Sequence, residues 1–174
     1  LLNQHCACHM IHLIAKCAIK RCKKEVEIIG IAISFLGNST QRISSYKRYC
    51  IAIEKIPHKY NLDMPVRWNS TYMMLKAVIR DEIAFSGWIN ANMGREHFTT
   101  NTWDVAKALV KFLEIFYDAT ISLSGVYYPT SPLMMHTLVD IASHLKAYEN
   151  NVLLSPMVSR MKLKYCKYWA KIPI

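Results

Sequence analysis

Residues 11–36 read Ile-His-Leu-Ile-Ala-Lys-Cys-Ala-Ile-Lys-Arg-Cys-Lys-Lys-Glu-Val-Glu-Ile-Ile-Gly-Ile-Ala-Ile-Ser-Phe-Leu. Ile11, Ile14, Ala15, Ala18, Ile19 and Cys22 recur at steps of three and four, the signature of one apolar helix face. Val26, Ile29, Gly30, Ile33 and Leu36 continue the period, and Ile28, Ile31 and Phe35 widen it. The pattern predicts a long helix, apolar on enough sides to be well buried. Lys16, Lys20 and Lys24 form a stripe at spacing four away from most of that face, and Gly37-Asn38-Ser39-Thr40 ends the helix.

The helical period recurs along the chain. The basic stretch from Arg42 to Tyr60 reads as a helix and then a loop, with Pro57 and Pro65 bracketing an extended link. Asn69 or Ser70 is the expected cap of a helix whose face is Met74, Val78, Phe85 and Trp88, with Asp81 where another apolar residue would stand. Gly87 to Thr100 reads as a loop. Thr102 is the expected N-cap of a long amphipathic helix through Val105, Leu109, Phe112, Phe116, Ala119 and Leu123, stopped by Ser124-Gly125. Ser131-Pro132 and Ser155-Pro156 give two further helix starts. Only the first few residues suggest a strand, so the expected fold is mainly α with little or no β. By motif the chain divides into residues 1–60, 61–100 and 101–174.

Half of the 174 residues are apolar (52%), and with only 5 Gly and 6 Pro the chain is neither disordered nor all-β in composition. The net charge of +10 is unevenly spread. Residues 1–80 hold 13 basic and 4 acidic side chains, residues 81–150 hold 4 and 8, and residues 151–174 hold 5 and none. Two basic ends around an acidic middle favour a polyanionic partner, while the plain alternative is a surface balanced by acidic neighbours elsewhere. The six cysteines, with no leader sequence before them, read as reduced thiols. No apolar run reaches membrane-spanning length. A start at Leu1, just before a dense motif, leads us to expect further protein upstream.

Three stretches can carry chemistry. His5-Cys6-Ala7-Cys8-His9, with His12, contains zinc-ligand types, but Cys8 and His9 are adjacent and no second pair follows at finger spacing. Cys6 and His9 also make a Cys-x-x-His element, where a histidine donates to a phosphate oxygen or orients a water; the plain reading is a buried thiol and a capping histidine. In Leu62-Asp63-Met64-Pro65-Val66-Arg67-Trp68-Asn69-Ser70-Thr71-Tyr72, Arg67 offers a planar fork for phosphate. Trp68 offers a face on which an unstacked base gains about 1–3 kcal/mol, and Asn69 and Ser70 supply donors at a helix start. The alternative is a core tryptophan with Arg67 paired to Asp63. The third stretch is the basic stripe Arg160, Lys164, Lys167 and Lys171, in a 24-residue end without an acid. No cluster of carboxylates, Gly-rich phosphate loop or hydrolase motif is present, so no residue is read as catalytic.

These blocks together resemble the hAT transposases of plants, including the ricesleeper-type proteins with a BED zinc finger. Cys6 to Ile14 resembles that family's Cys-x-x-His-x-Leu-Asn-Leu-Ile. Leu62 to Leu75 resembles its Leu-Asp-Val-Pro-Thr-Arg-Trp-Asn-Ser-Thr-Tyr-x-Met-Leu. Phe112 to Thr120, Tyr128-Pro129-Thr130-Ser131 and Lys162 to Trp169 resemble its segment often described as having an RNase-H fold. His12 departs from the family's Asn, and Val66 from its Thr, which raises a decayed or domesticated copy.

The resemblance implies an insertion-type helical segment of an interrupted RNase-H-like transposase core, working in the nucleus on DNA. The three acids that bind divalent metal such as Mg are expected outside residues 1–174, so no cofactor and no enzymatic activity are expected of this chain alone. It places His9 near the scissile phosphate with Cys6 behind it, and Arg67 and Trp68 at the transposon end, with the indole facing the nucleic acid. Oligomerisation is expected through regions other than these, and no membrane association is expected. The alternative is a helical protein–protein interaction module of a transposase-derived regulator.

Overall fold

A computed structural model describes residues 7–61, 67–93, 98–124 and 131–169. These form α1 (Ala7–Arg21), α2 (Lys23–Gly37), α3 (Thr40–Ala52), α4 (Trp68–Arg80), α5 (Glu82–Met93), α6 (Thr100–Leu123), α7 (Ser131–Ala147) and α8 (Ser155–Trp169). No strand occurs among the described residues, as the periodicity predicts; the suggested strand at the N-terminus lies outside them. None of these helices is long and apolar enough to cross a membrane. The chain packs as two compact units, one built from residues Leu1–Arg21 and Lys111–Ile174, the other from Cys22–Val110. This grouping cuts across the division by motif, because α1 meets partners more than a hundred residues away.

In the first unit, α1 buries Met10, Ile11, Ile14, Ala15 and Ala18, and its partner α8 buries Met157, Val158, Met161, Tyr165 and Trp169. Ala15 and Ala18 lack bulk, so the large side chains of α8 have room beside them. The Tyr165 hydroxyl donates to the Leu138 carbonyl at 2.9 Å and ties α8 to α7. His144 of α7 stands among Phe112, Phe116 and Tyr148, and its Nε2 donates to the Phe112 carbonyl at 2.9 Å. Burial lowers the His144 pKa against a smaller upward effect of that bond, so the imidazole is held neutral.

The second unit is organised around a chain of rings. Phe35, Trp88, Tyr46, Tyr60, Phe85, Phe98 and Trp103 follow one another at centroid distances of 5.0–6.2 Å. They join α2, α3, the link after α3, α5 and the start of α6 through tilted and edge-on contacts, the favoured geometries for aromatic pairs.

The single long helix expected over residues 11–36 is two helices. They part at Cys22 (φ −97°, ψ 24°), and the apolar face of each half is buried in a different unit. The helix expected through Trp88 is likewise broken at Asp81 (φ −107°, ψ 20°). Gly87 is helical, where a loop is expected, because α5 runs on to Met93. A Cβ at Gly87 would collide with the Tyr49 hydroxyl, so here glycine serves close packing of α3 on α5. The cap of α6 is Thr99, not Thr102: its Oγ1 accepts from the Thr102 amide at 3.2 Å. Phe98 before that cap packs on Trp103 at 5.0 Å, the arrangement of a hydrophobic staple.

Asp81 turns the chain between α4 and α5 and fixes the irregular link after α3. His58 Nδ1 lies 3.1 and 3.0 Å from its two oxygens, and the Tyr60 hydroxyl donates to Oδ2 at 3.0 Å. Arg80 donates through Nε at 3.2 Å and through its terminal nitrogen at 3.0 Å. Tyr46 and Tyr60 share a further hydroxyl–hydroxyl bond of 2.6 Å. Only 10% of the Asp81 side chain is exposed. Burial alone would raise its pKa; hydrogen bonds from Arg80 and Tyr60, with the charges of Arg80 and His58, outweigh that and hold it below the ordinary value. Burial first, then the bond to Tyr46, pushes the Tyr60 hydroxyl up, so it stays protonated and donates.

A depressed folded-state pKa contributes stability above the unfolded value, lost as pH falls through the folded one. Asp81→Asn is therefore predicted to lower the unfolding free energy by about 2 kcal/mol near neutral pH. Urea melts repeated below about pH 4 should show wild type and variant converging. A constant gap across that range would exclude the charged network as its source.

Candidate functional site

The Arg67–Trp68 pair comes apart in the structure. Arg67 is exposed at the N-cap position of α4, whereas Trp68 is 3% exposed and packs on Tyr72 at a ring distance of 6.2 Å. The outward-facing indole expected from sequence is thus corrected. As the first residue of α4, Trp68 lies on the apolar face with Thr71, Tyr72 and Leu75, so burial of that face takes the indole with it. Ser70 Oγ donates to the Arg67 carbonyl at 2.6 Å. The Asn69 Oδ1 is buried without a hydrogen-bond partner among the described residues. The preceding Leu62 to Val66 lie outside the described residues.

At the chain's start, Cys6 is outside the described residues. His9 is exposed, with its ring nearly parallel to that of His12 (10°) at 6.2 Å. Burial, then Lys16 and His9, lower the His12 pKa. Cys8 is half-buried with its Sγ 3.6 Å from Ser124 Oγ, a contact between α1 and the end of α6. No three His, Cys, Asp or Glu side chains among the described residues converge as metal ligands. The zinc reading takes in Cys6, which lies outside the described residues.

The basic side chains sort by what they touch. Lys16 and Lys20 on α1 and Arg160 and Lys167 on α8 are exposed. Lys164 is half-buried and donates to the Leu13 carbonyl at 3.2 Å, so it joins α8 to α1. Lys24 is exposed on α2, beyond the break at Cys22, so the expected stripe through Lys16, Lys20 and Lys24 is not one helix face. Lys171 is outside the described residues. Helix α1 packs on α8, neither helix contains an Asp or Glu, and Lys16, Lys20, Arg21, Arg160 and Lys167 are exposed on the pair. No single sequence window shows this pairing, since its halves lie at opposite ends of the chain.

Residues 4–112 match the ZBED1 RNase-like helical domain. The chain belongs to that family. Over 170 residues, 94% of this chain, it is 26% identical to the zinc finger BED domain-containing protein RICESLEEPER 2 of Oryza sativa subsp. japonica and 25% identical to the putative AC transposase of Zea mays. RICESLEEPER 3 from the same rice matches at 24%. The chain spans 21–23% of the length of these relatives. No solved structure matches. The protein is thus related to the hAT-type transposases, as the Arg-Trp-Asn-Ser-Thr block and its neighbours indicate.

The two halves of that block should respond differently to truncation. Trp68→Ala is predicted to destabilise the fold by about 3–5 kcal/mol, the cost of a large-to-small change at a buried aromatic. Arg67→Ala should leave the urea midpoint unchanged, as for an exposed side chain. Equal, small effects of both would place the indole at the surface after all.

Proposed function

We propose that this chain is a DNA-binding segment of a hAT-type cut-and-paste transposase, or of a domesticated derivative, and that it works in the nucleus. The observation that carries this reading is the packing of α1 on α8, two helices with exposed basic side chains and no acid of their own. Five exposed basic groups on two packed helices, with no acid on either, give a local field that attracts a phosphate backbone. Their side chains are long and not held in a fixed pattern, which suits backbone contact better than base reading. The relatives named as transposase and as BED zinc-finger proteins support the same partner. In this reading strand cleavage belongs to acidic residues and divalent metal elsewhere in a longer protein. His9, exposed on α1, and Arg67, at the head of α4, are further phosphate contacts within their own units. Trp68 acts by anchoring the start of α4.

Binding of a labelled duplex should weaken steeply with salt, with a slope of about −0.9 per phosphate neutralised. Lys16→Ala combined with Lys20→Ala should weaken binding and make the slope shallower by about 2, leaving stability unchanged. A chain that ignores duplex DNA at low salt would refute the proposal.

A protein–protein role is favoured by one observation. Leu133, Met135 and Val139 of α7 are exposed, as are Val152 and Leu153 after it, an apolar surface of the kind that partners cover. Light scattering after size exclusion should show a monomer if DNA binding is the main role of this segment. A stable oligomer dissociated by Val139→Glu would favour the interaction module.

A further inference from the structure

Helix α3 is sorted into two faces. Tyr46 and Cys50 are buried on one, where Tyr49 meets Gly87 and the Trp88 Nε1 donates to Ser45 Oγ at 3.3 Å. Arg42 belongs to the same side, held by the Phe35 carbonyl and ring. The other face is Thr40, Gln41, Ser44, Lys47, Arg48 and Ile51, all exposed. At about 100° per residue these positions fall within about 120° of arc. They run from the first residue of the helix to the last but one, so no described element covers that side. No Asp or Glu stands in the sequence between Glu27 and Glu54, and neither Lys47 nor Arg48 has an ion pair among the described residues. Ser39 caps the helix, its side chain accepting from the Arg42 amide at 3.4 Å.

We infer that α3 is a base-reading helix, laid in the major groove of duplex DNA with Gln41, Ser44 and Arg48 toward the base edges and Lys47 toward a phosphate. A helix about 10–12 Å across, free along one side, matches a groove about 12 Å wide. Gln41 and Arg48 are about 10 Å apart along the axis, or three base-pair steps of about 3.4 Å. The residue types suit the edges they meet there. A glutamine amide pairs in two places with adenine, an arginine fork pairs with guanine, and a serine hydroxyl pairs with either. Ile51, 67% exposed, offers an apolar contact to a thymine methyl. It is the one large apolar group on the face, which is therefore too polar for a lipid surface. An acidic protein surface offers only acceptors through its carboxylates and leaves the acceptor half of the Gln41 amide unused; an adenine edge engages both halves. The narrow major groove of duplex RNA does not admit a helix. On the inner side, the ring contacts of Tyr46 with Trp88 and Tyr60 hold α3 in place, and side chains on a fixed helix are placed more accurately than those of a loop.

This inference rests on the DNA-binding reading and adds sequence preference to it; the experiment separates the two. The 174-residue chain would select duplexes from a randomised pool, and fluorescence anisotropy would compare the enriched duplex with a scrambled one. We expect enrichment of a short motif and a preference of about tenfold or more over the scrambled duplex, the scale of one or two base contacts. Gln41→Ala combined with Arg48→Ala, both at exposed positions, should abolish that preference and leave the urea midpoint unchanged. Lys16→Ala combined with Lys20→Ala should weaken both duplexes alike and keep the preference. Absence of enrichment, or a preference that survives the loss of Gln41 and Arg48, would overturn the inference while leaving duplex binding in place. Equal affinity for a duplex RNA of the selected sequence would also overturn it, as would displacement by polyglutamate at a lower concentration than by the selected duplex. Failure to bind any duplex at low salt would remove the DNA-binding reading together with this one.

Discussion

A carboxylate taken nearly out of water must be compensated on every side, and Asp81 is compensated by three side chains from two parts of the chain. That requirement arranges the second unit. The link between Ile53 and Asn61 has no regular structure of its own, so its path depends on where His58 and Tyr60 are held. With Tyr60 fixed, its ring meets Phe85 on one side and Tyr46 on the other, and Tyr46 leads to Trp88. Removing one partner leaves the others facing an uncompensated buried charge, which costs more than the bond itself contributes.

Part of the basic complement serves the architecture. Arg42 donates to the Phe35 carbonyl at 2.9 Å and lies 3.8 Å over the Phe35 ring, where it serves the C-terminal end of α2. Arg80 serves Asp81, Lys107 pairs with Glu82 at 2.7 Å, and Lys162 pairs with Glu149 at 2.8 Å. Each ion pair takes up one base and one acid together, so the net charge of +10 rests on the remaining basic groups. On α1 and α8 the exposed basic groups stand on two packed helices that contain no acid, and that pairing is a tertiary property.

Periodicity of three and four made the helical class legible, and the apolar positions it picks out, such as Ile14, Leu109, Phe116 and Tyr165, are buried. Breaks were harder. Cys22 is an ordinary residue in an unbroken apolar rhythm and Asp81 interrupts one at a single position, and each helix breaks there because of what the flanking segments pack against. Gly87 gave the opposite error: glycine reads as a stop, yet here it marks close approach. At the candidate site, the exposure of Lys16 and Lys167 followed from their places opposite an apolar face. The burial of Trp68 did not emerge, because an aromatic at a helix start fits equally well against solvent, nucleic acid or core. Asp81 carried a usable signal, a lone acid on an apolar face, whose meaning needed His58 and Tyr60 from more than twenty positions away.

The missing β-carbon at Gly87 has a consequence for how this sequence can drift. Tyr49 occupies the space that any other amino acid would need there. Alanine, the mildest exchange and one that helices ordinarily favour, is barred unless the phenol retreats. Tyr49 is half-buried and its hydroxyl ends a flexible side chain, so a larger residue at Gly87 requires the phenol to turn aside or, as in Tyr49→Phe, to lose its nearest atom, and the two positions are coupled.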